Sequence, residues 1–308
     1  MPALRRFGQT DFPPVFVSLL AVISLFLMEP FSAVQAETAL SVSASVPDYS
    51  RSHTVESPCD PTLDIPMSIT PYVAYANLCV FSDQEDITAL SGDEIQMFNR
   101  LNEIREANGL PRLMWHPGAA RAARMHGVDM MKRDYFAHAS LEGLRASDRL
   151  RRLNRREVFG VVAENLAWFR DGYPQTYSGL TLQRQLEQSP KHYKSMVDGS
   201  YTHVGLSIVR QGDTYIAVQV FLSSEGQLEA PVPSMVRSGD GFELPPRLGL
   251  REVGGWRLVD ETGAIVAKGY DRSVRIPEIQ HKRLRLMILA AETPTSYLIL
   301  NGPSADYQ

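Results

Sequence analysis

The change of character at Ser91 constrains this chain most. Before it, residues 37–88 carry many Pro, Ser and Thr and little periodicity. After it, Ile95, Phe98, Leu101 and Ile104 recur at helical spacing. Ser91 and Glu94 match a capping box, in which a serine side chain satisfies a free backbone N–H of the first turn. Asn108-Gly109 supplies a left-handed stop, and Pro111 follows it. A second helix starts near Pro117, which suits a first helical position. Its alanines, Ala119, Ala120, Ala122 and Ala123, allow close packing as far as about Lys132. Shorter helices are predicted near 146–154, from about Leu180 to Gln188, and again from Ser189-Pro190. Two strands, Thr202–Val209 and Thr214–Leu222, turn at Arg210-Gln211-Gly212-Asp213. Helices followed by a hairpin make residues 89–226 an α+β domain, not a βαβ repeat.

The flanking segments differ. Within residues 227–308, prolines 231, 233, 245 and 246 mark a linker over 227–246, after which residues 247–308 read as short strands, with Glu261-Thr262-Gly263 as one turn. That predicts a small all-β domain. At the other end, Arg5 and Arg6 precede an apolar run, Val15–Met28, ended by Glu29 and Pro30 and followed by Ala33, Val34 and Ala36. This is the layout of a signal peptide over residues 1–36, with an uncleaved membrane anchor as the alternative, and the 14-residue run falls short of the ~20 needed to span a bilayer. The expectation is a secreted or periplasmic chain with no transmembrane span in its mature form. An oxidising compartment would let Cys59 and Cys79 form one bridge within a leader, residues 37–88; two free thiols are the alternative. A net charge of −4 argues against nucleic acid, because neutralising a phosphate backbone takes a basic surface.

Candidate chemistry is sparse. Arg145, Arg149, Arg152 and Arg156 share one helical face and read as a solvated surface, with an anion or acidic-lipid patch as the alternative. His116 and His126 lack partners in register and read as structural or solvent-facing. His138, Glu164 and His192 each fall at the edge of an element, where side chains can converge across a cleft. Two imidazoles and a carboxylate suit a divalent metal such as zinc with open positions. Their separations, 26 and 28 residues, form no local ligand motif. A metal-free hydrolase would instead pair Ser140 or Ser189 with a histidine, with no third group evident to orient it.

A resemblance to a known family sharpens this reading. Its residues are Leu101-Asn102-Glu103-Ile104-Arg105 with Asn108-Gly109-Leu110, Leu113-Met114-Trp115-His116-Pro117, and Ala123-Arg124-Met125-His126. They continue as Tyr135-Phe136-Ala137-His138, Ala163-Glu164-Asn165-Leu166-Ala167, Ser189-Pro190-Lys191-His192, and Thr202-His203-Val204-Gly205. In order and spacing this set resembles the CAP superfamily, also called SCP or sperm-coating-protein-like, and its bacterial branch in particular. The resemblance implies an α-β-α sandwich around a cleft lined by two histidines and two acidic residues, where some members hold zinc or another divalent ion. His138, Glu164 and His192 match three of those positions. The fourth departs from the pattern: Leu186 stands where eukaryotic members have a tryptophan, and Glu187 is out of step. The family has no agreed enzymatic activity, and its members include proteins thought to bind sterols or other lipids. The implied function is a secreted binding protein for a lipid or cell-envelope ligand. The alternative is a metal-dependent extracytoplasmic hydrolase with Glu164 as ligand or general base.

Overall fold

In a computed structural model of the protein, the described residues are 59, 66–81, 87–172, 177–293 and 296–308. The expected signal peptide, 1–36, lies outside them, as does most of the expected leader. Part of that leader is helical: α1 spans Ile69–Cys79 and buries Ile69, Tyr72, Ala76 and Cys79. Its apolar residues run all round the helix, so no stripe announced it. Cys59 and Cys79 form the disulfide.

Strand β1, Thr88–Ala89, leads into α2, Ser91–Ala107. The expected capping box does not form. Glu94 Oε1 instead accepts the Ile208 backbone N–H at 2.9 Å, tying the start of α2 to the sheet. The buried face is Met97, Leu101 and Ile104, while Ile95 is 60% exposed. Gly109 ends the helix at φ +72°, as its left-handed stop requires. After β2, Met114–Trp115, comes α3, Pro117–Lys132. Its cap is His116, whose Nδ1 accepts the Ala119 N–H at 2.9 Å. Helix α4 is Ala146–Leu153, β3 is Glu157–Arg170, α5 is Thr181–Gln188 and α6 is Pro190–Met196. The hairpin is β4, His203–Gln211, with β5, Thr214–Gln227, in unbroken register across their turn.

Side chains alternate across β5, and the alternation builds the sandwich. Ile216, Val218, Val220 and Leu222 join Tyr72 of α1, Ala119 and Met125 of α3 and Leu150 of α4 in one core. Tyr215, Ala217 and Phe221 join Met97 and Leu101 of α2, Leu182 and Leu186 of α5 and Met196 of α6 in the other. The α-β-α arrangement implied by the resemblance is thus present. Close approach on the first side depends on Gly205: a Cβ there would lie 2.0 Å from Ala120 N.

The C-terminal residues form the expected β-rich unit. Its strands are β6, Met235–Val236; β7, Gly241–Glu243; β8, Arg247–Leu248; β9, Arg251–Asp260; and β10, Ile265–Gly269. They continue with β11, Ser273–Arg275; β12, Arg283–Thr293; and β13, Ser296–Tyr307. Trp256, Leu258, Leu284, Leu286, Ile288 and Leu300 anchor its own core. The unit continues the first sheet, in the order β1-β4-β5-β3-β13-β12-β9-β10, through one residue pair, Asn301 and Phe159.

Arginines around α4 secure this seam, and the reading of one solvated face holds only for Arg145 and Arg156, which are exposed. Arg149 and Arg152 are 1% and 3% exposed. Arg155 donates to the carbonyls of Val232 (2.8 Å), Pro233 (2.6 Å) and Ser304 (2.6 Å). Arg151 donates to Asn301 Oδ1, and Asn301 Nδ2 donates to the Gly160 carbonyl at 2.7 Å. Carbonyls that end or leave strands lack ladder partners, and a guanidinium can serve several at once.

Candidate functional site

The site lies where the loop after α3 crosses β3 beside the start of α4. Glu164 is in the middle of β3, opposite Val220, and its side chain is only 5% exposed. A buried carboxylate needs a counter-charge and hydrogen-bond donors. His138 provides one contact, Nδ1 to Oε1 at 3.0 Å, with its own ring 52% exposed. The other oxygen receives Arg149 Nη2, while Arg149 Nη1 donates to the Leu144 carbonyl at 2.8 Å. Burial alone would raise the Glu164 carboxyl; Arg149, and then the His138 hydrogen bond, outweigh it and hold the group below the usual carboxylate range.

His126 completes the floor. It is fully buried on α3, with Nε2 2.7 Å from the Ala137 carbonyl and 3.9 Å from Glu164 Oε1. Burial first, and then the charge of Arg149, push its pKa down to about 3, so the ring is neutral. The contact with the Ala137 carbonyl therefore requires the proton on Nε2.

His192 stands apart from this pair. It lies on α6, half-buried, and its pKa is lowered by burial and then by the charge of His138. No hydrogen bond or ion pair among the described residues joins it to His138 or Glu164. Its backbone is held from behind: Asn165 Nδ2 donates to the His192 carbonyl at 3.0 Å and to Gln219 Oε1 at 3.1 Å. Gln219 donates to Gln183 at 2.9 Å, and Gln183 to Glu187 at 3.3 Å. Glu187 ends this amide chain paired with Arg100 at 2.9 Å, so it is engaged away from the cleft.

The opening itself is a cleft of about 280 Å³ lined by His138, Arg145, Ala146, Ser147, Val162, Ala163 and Glu164. Of the expected residues, His138 and Glu164 meet here; His192 does not line it. Of the two serines considered as nucleophiles, Ser140 Oγ accepts the Leu144 N–H at 3.1 Å and Ser189 sits at the start of α6. Neither is hydrogen-bonded to a histidine among the described residues.

The donor set can be tested against the implied metal. Both Glu164 oxygens are already in use, one by a guanidinium that a divalent cation would have to expel. Among the described residues, no group of three His, Cys, Asp or Glu side chains is arranged to hold a metal ion. In this arrangement the residues do not fit one.

Sequence reasoning missed Ser147; it read Arg145 and Arg149 as part of a solvated face, with an anion patch as the alternative, and His126 as structural or solvent-facing, and placed none of the three at the site.

Comparison with known proteins bears on the same segment. Residues 98–221 match the model of the cysteine-rich secretory protein family, CAP. The uncharacterized membrane protein YlbC of Bacillus subtilis (strain 168) is 30% identical over 131 residues, covering 42% of this chain and 35% of its own. The chain thus spans about a third of that relative's length. Among solved structures, an extracellular protein containing a SCP domain from Bacillus anthracis str. Ames is 27% identical with a TM-score of 0.36, over 43% of this chain and 41% of that one. A cysteine-rich secretory protein (SAV1118) from Staphylococcus aureus subsp. aureus Mu50 is 18% identical with a TM-score of 0.31, over 46% and 40%.

Proposed function

We propose that residues 98–221, which match the model of the CAP family, form a domain that works outside the cytoplasm as a binding protein. Its ligand, a lipid or another envelope component, enters the cleft bounded by His138, Arg145, Ser147 and Glu164. The observation that carries this is the pairing of an exposed His138 with a buried, charge-balanced Glu164 at the base of an open cleft. Such a pair can orient a polar ligand group without itself needing to react. Extracytoplasmic placement is supported by the Cys59–Cys79 disulfide, by the signal-like residues 1–36, and by the secretory description of the family. Among the described residues no helix is long and apolar enough to cross a membrane.

Two further readings bear on the same residues. One is a divalent ion such as zinc held by His138, Glu164 and His192, of which only His138 and Glu164 are in contact. It requires Arg149 to release Glu164 and His192 to close in. The hydrolase reading is weaker, because a carboxylate stabilised in its charged form by Arg149 is a poor proton acceptor near neutral pH.

The test is recovery of a ligand. Full chain incubated with bacterial envelope extract and repurified retains a component identifiable by mass spectrometry, and Ser147→Trp, which fills the cleft, loses it. Equal retention by the two proteins would place the ligand elsewhere. Elemental analysis after zinc exposure, compared between wild type and His192→Ala, decides the metal reading.

A further inference from the structure

The C-terminal unit buries one face of its sheet and leaves the other open. Trp256, Leu258, Leu284, Leu286 and Ile288 point into its core. Side chains alternate along a strand, so the residues between these stand on the opposite face. Strand register arranges them in rows. Ile265, Val259 and Arg285 face one another across β10, β9 and β12. Lys268, Arg257 and Met287 form the next row. Beyond it Leu289 pairs with Ile299, and Ala291 with Tyr297, on β12 and β13. Three large apolar side chains on this face are about half open to solvent: Ile265 is 50% exposed, Ile299 47% and Tyr297 46%. Its charge is cationic. Arg257, Lys268 and Arg285 form no ion pair among the described residues, and Arg285 Nε is buried without a hydrogen bond. Their field reaches α4, where burial, opposed by Asp148 and assisted by Arg285, lowers the pKa of Arg151 to about 10. The acids around the face are mostly engaged. Asp306 answers Arg283 and Glu252 answers Arg247, both at 3.1 Å, while Asp260 and Glu261 flank His281. Glu292 stands in the bulge at the far end of β12, past the two cationic rows.

We propose that this open sheet face seats the protein on an anionic lipid surface, with Arg257 and Lys268 meeting the headgroups and Ile265, Ile299 and Tyr297 entering the boundary between headgroups and acyl chains. Peripheral membrane binding adds buried apolar area to attraction for anionic headgroups, and this face offers both. Lysine and arginine stems lie along apolar neighbours while their charged ends reach outward. An acidic protein is the poorer occupant. The cores of protein interfaces are depleted in charged residues, lysine among them. Here Arg257 and Lys268 stand side by side, flanked by rows that carry Ile265 and Val259 on one side and Leu289 and Ile299 on the other. A second copy packed face to face would set these cations against their own counterparts. The attraction is local to this face, because the chain as a whole carries −4. The seat is separate from the cleft and does not depend on what the cleft binds.

The experiment is flotation of the full chain with vesicles of phosphatidylcholine, with and without phosphatidylglycerol. The apolar run Val15–Met28 has its own affinity for lipid, so the comparison is between variants that share it. Phosphatidylglycerol should strengthen binding, and salt should weaken that gain. Arg257→Gln and Lys268→Gln should each weaken binding to the anionic vesicles about fivefold. Ile299→Ser should weaken it at every salt concentration, because its share is apolar. Arg184→Gln, an exposed position on α5, should leave binding as it is. Circular dichroism of all four variants should match wild type. No gain from phosphatidylglycerol overturns the proposal. So does unchanged binding in both charge variants or in Ile299→Ser, or an equal loss in Arg184→Gln. Tighter binding to polyglutamate than to the anionic vesicles overturns it in favour of an acidic polypeptide, and a wild-type dimer that Ile299→Ser dissociates overturns it in favour of a second copy.

Discussion

At the scale of single residues, the site is governed by a guanidinium. Arg149 lets a carboxylate sit buried in the middle of a strand, and it helps keep His126 neutral. Acid sensitivity follows. The folded-state pKa of His126 falls from 6.5 to about 3. Between those values the unfolded chain binds a proton that the folded chain does not, so stability falls as pH falls, by up to ~1.4 kcal/mol per pH unit. Glu164, depressed in the folded state, loses its contribution in the same direction, as pH drops from the ordinary carboxylate range through its lowered value. Urea midpoints measured from pH 7 to pH 4.5 should decline, and His126→Gln should flatten the decline above pH 5; an equally steep decline in the variant would assign it to other groups. His138 and Glu164 were legible in the sequence because motif residues keep their order and spacing. Arg149 was not. An arginine on a helix announces charge, and nothing local says whether a carboxylate waits in another element.

Among the elements, the most exacting contact is between α3 and β4. Gly205 lets the backbones meet, and Gly205→Ala would drive a methyl into Ala119 and Ala120. Backbone cannot swing aside as a side chain can, so this overpacking should cost about 3 kcal/mol. Chemical denaturation should show it as a lower midpoint; a midpoint within error of wild type would mean that α3 can slide on the sheet. Elements with strong local signals could be read from sequence: the Asn108-Gly109 stop, Pro117 at the start of α3, and the β4–β5 turn. Elements fixed by distant partners could not. Helix α1 has no apolar stripe, and its first N–H is satisfied by Asp306 at 2.5 Å, far along the chain. Glu94 had the right spacing for a cap and was drawn to Ile208 instead.

At the scale of the molecule, the disulfide and the seam do the joining. Cys59–Cys79 closes a loop spanning 20 residues, and such a constraint on the unfolded chain is worth ~3 kcal/mol. Reduction should lower stability by about that amount while the α-β-α core stays folded, checked by denaturation with and without dithiothreitol. Loss of the whole fold on reduction would show α1 to be indispensable to the core.

The seam also sets an order of events. Strand β13 follows every other described element in the chain, yet Asn301 bonds Arg151, the Ser304 carbonyl takes Arg155, and Asp306 holds the first turn of α1. A chain delivered N-terminus first, whether from a ribosome or through a membrane pore, cannot make these contacts until nearly all of it has arrived. Until then α1 and α4 lack these partners, and the last strand acts as a latch that closes the seam.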